Sequence, residues 1–537
     1  MLYNVFCDFR RHISKIIIKY NLVKKGIKYM QKIFIKHYKQ IVAIFMAIML
    51  MFVSILTVSP IDVKASSTTV PQDLIINIGS DASKLNFNWF CEAEVSGIPS
   101  VRIIGVAETF IGEQGIADNN TKYNKVTVTG LKHSTTYECQ VSSDGINYSN
   151  IYTFKTSGSD SFTFAAIGDP QIGASSSLND DSKNWAIVVN EILNKDASFI
   201  VGVGDQVDYQ KEEDSNILKQ QYSHFISGLT QETRLMPFSV AIGNHEGYKP
   251  FGLGRKMFNY HYNITNKSED VILYDFNLIN YYYIYNNTLF VVLDTAPYPN
   301  PTDTEFTKSL IDAFDKVIST ATTIFANQYD WLVVQTHKSM QCNPADYNID
   351  DIEAYSKAGF EDLMTKYNVD LVLAGHTHSY VRSYPFKSNA SMVGIGGPMR
   401  KGGITIDRDN MDDKLFDPDG TVYMILNSAS GSEFYDIQST PNLTSKVEKQ
   451  NYIAQYTIID VTDEKLTVNT YEVGLTEPID SFIIIKTDNN ISENSIDNNN
   501  LRTKNKPDIT IITTCIIVTL GVIVTMIIVM KRKRQIK

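Results

Sequence analysis

Histidines, carboxylates and one asparagine follow apolar segments of the chain at five places. Each apolar segment, such as LVLAG before His376 and His378, indicates a buried strand that ends at the polar group. Glycine directly precedes the polar group in four of the five turns, where it permits a sharp exit and a close backbone approach. The five turns carry these residues: Asp169; Asp205; Asn244 with His245; His337; His376 with His378.

Strand ends of this kind converge when the strands run parallel. The segments FTFAAIGD and ASFIVGVGD flank an amphipathic helical segment around Trp185, which predicts a βαβ unit and therefore parallel strands. The carboxyl ends of parallel strands share one edge of the sheet, and ligands bind at that edge. We therefore expect the polar residues to meet in space, although Asp169 and His378 are far apart in the chain.

The residue types in this set predict a metal site. Carboxylates, an amide oxygen and imidazoles form a mixed oxygen and nitrogen ligand set, which suits zinc, iron or manganese. The set has too many ligands for one tetrahedral ion and about enough for two. Two ions ~3.5–4 Å apart clamp the attacking and leaving oxygens of an in-line displacement, and a metal-bound hydroxide is a nucleophile at neutral pH. A phosphate ester is the natural substrate for such a site.

Five short segments, GDPQ, GDQVD, GNHE, THKS and GHTHSYVRSYP, resemble the five motif blocks of the calcineurin-like metallophosphoesterases. The last block is similar to that of the purple acid phosphatase branch. The resemblance implies an α/β fold, a four-layer αββα sandwich over residues 160–475, and a hydrolase of phosphate monoesters similar to an acid phosphatase. Two alternatives stay open: a phosphodiesterase or nucleotidase on the same core, and a surface-binding protein without activity.

The resemblance also implies a role for each metal ligand. The first ion would be held by Asp169 and His378. The second ion would be held by Asn244, His337 and His376. Asp205 would bridge the two ions. Many relatives place a histidine ligand where this chain has Gln171, so either the amide oxygen of Gln171 is a weaker ligand or water takes its place.

Three further residues are candidates for catalysis or substrate binding. The resemblance implies that His245 protonates the leaving oxygen and that Asp208 orients it, because an acid on the second ring nitrogen fixes the tautomer. Purple acid phosphatases carry a tyrosine at the position of Asp208, and its charge transfer to iron produces their colour, so we expect no purple colour here. Arg255 is a candidate for the substrate phosphate, since guanidinium groups fit phosphate oxygens; the alternative is a surface arginine.

Residues 68–157 alternate between apolar and polar residues, with turns about every ten residues, which predicts an all-β sandwich. The segment GLKHSTTYECQV resembles the fibronectin type III pattern, with Tyr137 at the tyrosine-corner position. This resemblance would place Cys91 and Cys139 on facing sheets. They are expected to form either a disulfide or two buried thiols.

Two apolar segments predict contact with a membrane. Residues 1–65 contain an uncharged apolar run followed by a small-residue cleavage pattern, which indicates a signal peptide or an uncleaved N-terminal membrane segment. Residues 509–530 are long enough to cross a ~30 Å hydrocarbon core as a transmembrane helix. The basic residues 531–537 would form a cytoplasmic tail. The polar residues 476–508 before the helix predict a stalk.

The charge distribution limits the function classes. The chain has 537 residues and a formal net charge of −10, and basic residues are concentrated at its two ends. The acidic middle argues against nucleic-acid binding, which requires a basic surface. The sequence therefore predicts a single-pass protein of the cell membrane, with its catalytic domain on the extracytoplasmic side, as on a bacterial cell surface.

Overall fold

The protein is described by a computed structural model that covers residues 70–209, 214–268, 272–273, 276–298, 303–338, 341–345, 350–388 and 403–487, together with Lys25 and Lys28. Apart from those two lysines, the predicted N-terminal segment 1–65 lies outside the described residues, as do the predicted transmembrane helix 509–530 and the tail 531–537. No helix within the described ranges has the length and apolar character needed to cross a membrane.

The strands, in chain order, are β1 (Gln72–Ile78), β2 (Leu85–Glu92), β3 (Ser100–Ile103), β4 (Thr109–Ile111), β5 (Glu113–Ile116), β6 (Thr121–Val128), β7 (Thr136–Ser142), β8 (Tyr152–Lys155), β9 (Phe162–Ile167), β10 (Ile200–Gly202), β11 (Thr230–Gln231), β12 (Arg234–Leu235), β13 (Phe238–Val240), β14 (Ile272–Leu273), β15 (Phe276–Asn277), β16 (Tyr281–Tyr285), β17 (Thr288–Leu293), β18 (Trp331–Thr336), β19 (Leu371–Ala374), β20 (Tyr380–Ser383), β21 (Phe386–Ser388), β22 (Ile404–Ile406), β23 (Lys414–Phe416), β24 (Val422–Ile425), β25 (Ser445–Lys449), β26 (Gln455–Val461), β27 (Lys465–Glu472) and β28 (Asp480–Ile485). The helices are α1 (Leu178–Asn194), α2 (Ser215–Leu229), α3 (Asn244–Gly247), α4 (Leu253–His261), α5 (Thr304–Ile324), α6 (Asp350–Ala358) and α7 (Phe360–Lys366).

Two large sheets pack face to face between helices. The first has the order β23-β28-β27-β26-β9-β10-β13-β1-β2-β6-β5, and the second has the order β16-β17-β18-β19-β24-β20-β25. One apolar core fills the space between the sheets, a second joins α1 and α2 to the first sheet, and a third joins α5, α6 and α7 to the second sheet. This is the mixed α/β arrangement that the sequence predicts.

Helix α1 shows how the local sequence produces the outer layer. The Ser177 side chain caps its N-terminus by accepting a hydrogen bond from the backbone N–H of Asp180. Trp185, Val188 and Ile192 recur at helical spacing and are fully buried against the first sheet. The predicted βαβ unit is therefore confirmed, with β9 and β10 paired in parallel.

The N-terminal region is a β-sandwich, as predicted. One of its sheets contains β1, β2, β6 and β5, and the other contains β8, β7, β3 and β4. The Tyr137 hydroxyl accepts a hydrogen bond from the backbone N–H of Lys132 at 2.7 Å, which is the contact expected of a tyrosine corner. The relation of this sandwich to fibronectin type III domains stays a prediction.

The two predicted domains, residues 68–157 and residues 160–475, do not have separate sheets. Strand β1 pairs in parallel with β13, so one sheet continues from the sandwich into the domain that follows. The Lys125 ammonium group also donates hydrogen bonds to the carbonyls of Asn259 and Tyr262 at the end of α4. The two regions therefore share a sheet and a helix cap.

The two cysteines of the sandwich are thiols, which is the second of the two predicted alternatives. Cys91 and Cys139 are both buried and free. Cys139 lies in the apolar core, whereas the Cys91 sulfur lies 3.4 Å from the side-chain amide of Asn124. The two side chains therefore have separate surroundings, and no disulfide links them.

The C-terminal limit of the folded region differs from the prediction. Residues 480–485 form β28, which pairs with β27 and with β23 in the first sheet. The predicted polar stalk at 476–508 therefore begins too early, because Phe482 and Ile484 alternate with exposed or half-buried neighbours and fill the core between the sheets. A short strand with one buried face is easily missed beside a long polar segment.

Candidate metal centre

Parallel strands in both sheets bring the predicted residues to one place. In the first sheet β9, β10 and β13 are parallel neighbours, and in the second sheet β17, β18, β19 and β24 are. The predicted residues follow the carboxyl ends of these strands and are all buried: Asp169 after β9, Asp205 after β10, Asn244 and His245 after β13, His337 after β18, and His376 and His378 after β19.

The imidazole of His337 lies at the middle of the cluster. Its Nδ1–H donates to the carbonyl of Val203 at 3.0 Å, so in the neutral imidazole the lone pair is on the other ring nitrogen, Nε2. That Nε2 lies 2.8 Å from Asn244 Oδ1 and 3.0 Å from Asp205 Oδ2. It also lies 3.2 Å from Nδ1 of His376. Acceptor atoms that crowd around one lone pair are the arrangement that a shared cation satisfies, so this donor set fits a metal ion.

Asp169 and His378 form the other half of the cluster. Nε2 of His378 lies 3.6 Å from Asp169 Oδ1, and Nδ1–H of His378 donates to the carbonyl of Glu433 at 3.1 Å. Burial lowers the pKa of His378 to about 4, so its Nε2 is unprotonated and available as a ligand. Burial and the neighbouring charge of Asp205 raise the pKa of Asp169, because two carboxylates close together repel each other.

The backbone of the site adopts a conformation that most residues avoid. Four of the predicted ligands and Gln171 have positive φ angles: 34° at Asp169, 39° at Gln171, 46° at Asp205, 76° at His376 and 42° at His378. Such a conformation costs on the order of 1–3 kcal/mol for each non-glycine residue and occurs mostly at functional sites. The surrounding fold therefore holds these side chains in place at an energetic cost.

Two glycines leave space for the carboxylates of Asp205 and Asp169. A Cβ atom added at Gly243 would lie 1.9 Å from Asp205 Oδ1, and one added at Gly375 would lie 2.2 Å from Asp169 Oδ2. The turns after β13 and β19 therefore approach the two carboxylates more closely than any other residue allows. This explains why glycine precedes the polar group in both turns.

Glu246 joins two of the turns. Its carboxylate is buried and accepts hydrogen bonds from the backbone N–H groups of Val207 at 3.1 Å and Gly243 at 3.0 Å. These two N–H groups belong to the turns that carry Asp205 and Asn244. Glu246 therefore has a structural role and sets the distance between the two turns.

His245 and Asp208 make the predicted contact. Nδ1 of His245 lies 3.0 Å from Asp208 Oδ1, and its backbone N–H donates to Asp205 Oδ1 at 2.8 Å. Burial lowers the pKa of His245, but the charges of Asp205 and Asp208 outweigh burial and raise it to about 9. The imidazole therefore carries a proton at neutral pH.

The structure adds a segment that the sequence interpretation overlooked. Residues 428–435 follow β24 and close one side of the site. Within this segment, the Ser428 hydroxyl donates to the carbonyl of Asp169 at 3.1 Å, and the Tyr435 ring stacks on His378 with 4.8 Å between ring centroids. The signal was present in the sequence, because VYMIL is an apolar strand followed by polar residues, as in the five other turns.

Arg255 has a different role from the predicted one. It is buried, its Nε donates to the carbonyl of Gly247 at 2.7 Å, and Nη1 lies 2.7 Å from Asp294 Oδ2. The Asp294 carboxylate also accepts the backbone N–H of Ile279 at 2.9 Å. The guanidinium is therefore committed to a buried ion pair, and the predicted contact with a substrate phosphate is wrong.

Replacement of this arginine gives the first testable prediction. Arg255→Met leaves the fully buried Asp294 without its cation, and we expect the free energy of unfolding to fall by about 3–5 kcal/mol. Urea-induced unfolding followed by circular dichroism measures the change. The double variant Arg255→Met with Asp294→Asn removes both charges and should recover part of the loss. A single variant as stable as the wild type would contradict the structural role.

Part of the chain resembles a known family of phosphoesterases. Residues 162–380 match the model of the calcineurin-like phosphoesterase family, which confirms the predicted resemblance. An acid phosphatase from Aspergillus ficuum is 27% identical over 127 residues, which cover 23% of this chain and 18% of that protein. The chain thus aligns with less than a fifth of the curated relative.

Two solved structures share the fold. Purple acid phosphatase PPD1 from yellow lupin (Lupinus luteus) seeds has a TM-score of 0.60 and 14% identity, covering 82% of this chain and 78% of that chain. The structure of PhoD has a TM-score of 0.53 and 11% identity, covering 78% of this chain and 91% of that chain. At such identities the similarity establishes a metallophosphoesterase-like fold and nothing finer.

Proposed function

We propose that the protein is a dinuclear metal phosphoesterase that hydrolyses phosphate monoesters, as an acid phosphatase does. The observation that carries this proposal is the crowding of Asp205, Asn244 and His376 around Nε2 of His337. The family match and the acid phosphatase relative support the same class of reaction.

The cluster has two halves that would each hold one ion. Asp169 and His378 would hold the first, while Asn244, His337 and His376 would hold the second. Asp205 would be shared, because it lies 3.0 Å from Nε2 of His337 and because, besides burial, its charge raises the pKa of Asp169. Iron, manganese and zinc all suit these donors. When bound, the two ions would supply a nucleophile from water at neutral pH and neutralise charge on the phosphoryl group.

His245 would act on the other side of the reacting phosphorus. Asp208 lies 3.0 Å from Nδ1, and this contact turns Nε2 of His245 toward the metal cluster, 3.8 Å from Asp205 Oδ2. A proton on Nε2 can then pass to the leaving oxygen, and general acids of this kind contribute about 10²–10⁴ to the rate. The proposed division is attack from the metal side and protonation by His245.

Metal analysis and hydrolysis assays on the full-length protein test the proposal. We expect about two metal ions per chain and faster hydrolysis of p-nitrophenyl phosphate than of bis(p-nitrophenyl) phosphate. A preference for the diester or for nucleotides would replace the monoester assignment with the phosphodiesterase or nucleotidase alternative. Bound metal without hydrolysis of any of these substrates would favour the surface-binding alternative.

We also propose that residues 509–530 anchor the protein to a membrane, with the catalytic domain outside the cytoplasm. This proposal comes from the uncharged apolar run and the basic residues after it. Membrane fractions that retain the protein after alkaline extraction would support it. Release of the full-length protein into the soluble fraction under that treatment would contradict it.

A further inference from the structure

The side-chain amide of Gln171 is held in one orientation by two carboxylates. Its Nε2 lies 3.0 Å from Asp208 Oδ1 and 3.1 Å from Glu433 Oε2, and the residue is fully buried. The same Nε2 also lies 3.4 Å from Nε2 of His245, which is a longer contact. An amide nitrogen has two N–H donors, and the two nearer carboxylates accept one each. Rotating the amide by half a turn would place its oxygen against two carboxylates. The two acids therefore determine which way the amide points.

The amide oxygen of Gln171 has no comparable contact in the described part of the chain. Oε1 is buried and has no hydrogen-bond partner among the residues that the structure describes. A buried carbonyl oxygen without a partner destabilises the fold, unless a bound group satisfies it. Gln171 lies two residues after Asp169 in the turn that follows β9. An unsatisfied oxygen in that turn is a ready ligand for a cation.

We infer that Gln171 supplies its amide oxygen to the first ion and that Glu433 is the positioning residue that fixes its orientation. The inference rests on the metal centre of the proposed function. Glu433 lies beyond residues 162–380, the part of the chain that matches the family model. The proposed positioning residue therefore comes from the segment after β24, outside the matched part of the chain.

Glu433 makes two contacts within the half of the cluster that would hold the first ion. The carbonyl of Glu433 accepts Nδ1–H of His378, while its side chain accepts the amide of Gln171. The Ser430 and Ser432 hydroxyls donate to the carbonyl of Pro170, which keeps the segment against the Gln171 turn. A displacement of this segment would therefore loosen Gln171 and His378 together.

A neutral amide oxygen is a weaker ligand for zinc, iron or manganese than an imidazole nitrogen. The first ion should therefore bind less tightly than the second, whose half of the cluster contains His337 and His376. Gln171→His would supply an imidazole and should strengthen binding of the first ion. The two ions should thus load in sequence, the second site before the first.

Calorimetric titration of the metal-stripped, full-length protein with Mn²⁺ tests the inference. The wild type should show two binding events of different affinity. Gln171→Ala should weaken the lower-affinity event about 10–100-fold and leave the other unchanged, since loss of a ligand or its support has effects of this size. Glu433→Ala should weaken the same event about tenfold, because the amide is then free to rotate.

Two further variants separate orientation from a general effect. Asp436→Asn removes an exposed charge from the residue that directly follows this segment without touching Gln171, and both binding events should stay as in the wild type. In a Gln171→His background, Glu433→Ala should no longer alter the first event, because no amide remains to be oriented. Unchanged affinities in Gln171→Ala, or equal weakening of both events, would overturn the inference. A wild type that binds no metal would instead overturn the proposed function itself.

Discussion

Asp205→Asn is expected to reduce hydrolysis of p-nitrophenyl phosphate by about three orders of magnitude or more, equivalent to several kcal/mol of transition-state stabilisation. The carboxylate lies at 3.0 Å from His337 and is the acid proposed to be shared by both ions. An asparagine keeps the shape but removes the charge, so the second ion loses its anionic ligand and the first loses its link to the second. Steady-state kinetics and metal content, measured on the same preparations, check the prediction.

The matched control for this variant is Asp312→Asn, which removes an exposed carboxylate on α5. It should leave activity and metal content unchanged. Thermal unfolding of both variants shows whether the fold is intact, so that a loss of activity is not a loss of structure. An Asp205→Asn protein with wild-type metal content and activity would exclude the bridging role.

The second large effect is expected at His245, and it should depend on the leaving group. His245→Asn should lower the rate on an alkyl phosphate by about 10²–10⁴, because an alkoxide leaves poorly without a proton. An activated aryl phosphate, whose phenolate leaves unaided, should lose much less. Comparing kcat/KM for the two substrates in wild type and variant measures the difference.

Asp208→Asn tests the same role as His245→Asn with a smaller change. It leaves the imidazole in place but removes the charge 3.0 Å from Nδ1. We expect a loss smaller than that of His245→Asn, with the same bias toward alkyl substrates, because Asp208 acts through the histidine. Equal losses on alkyl and aryl substrates would show that His245 is not the proton donor and that the pair has another role.

The meeting of these residues was predictable because they follow a local rule. Each of them stands where an apolar strand ends, and parallel strands of one sheet end at one edge. Residue type and position at a strand end are both visible in a few neighbouring residues. The fit between the two sheets then brought His337 to Asp205 and Asn244, as the spacing of the motif blocks predicted.

The role of Arg255 shows where such reasoning fails. An arginine in a polar segment is compatible with a surface position, a phosphate contact or a buried ion pair. The choice depends on Asp294, which lies 39 positions away at the end of β17. No local pattern connects the two residues, so only the packed structure reveals the pair.

The sequence by itself predicted which residues gather at the site and the strands that present them, because periodicity and residue type act over short stretches of chain. The tertiary structure decided the orientation of the Gln171 amide, its contact with Glu433 and the continuity of one sheet from the β-sandwich into the region that follows. Gln171 and Glu433 are 262 positions apart. A contact between residues so far apart in the chain arises from the packing of whole sheets and loops. The residues next to Gln171 and Glu433 in the sequence show no pattern that predicts it.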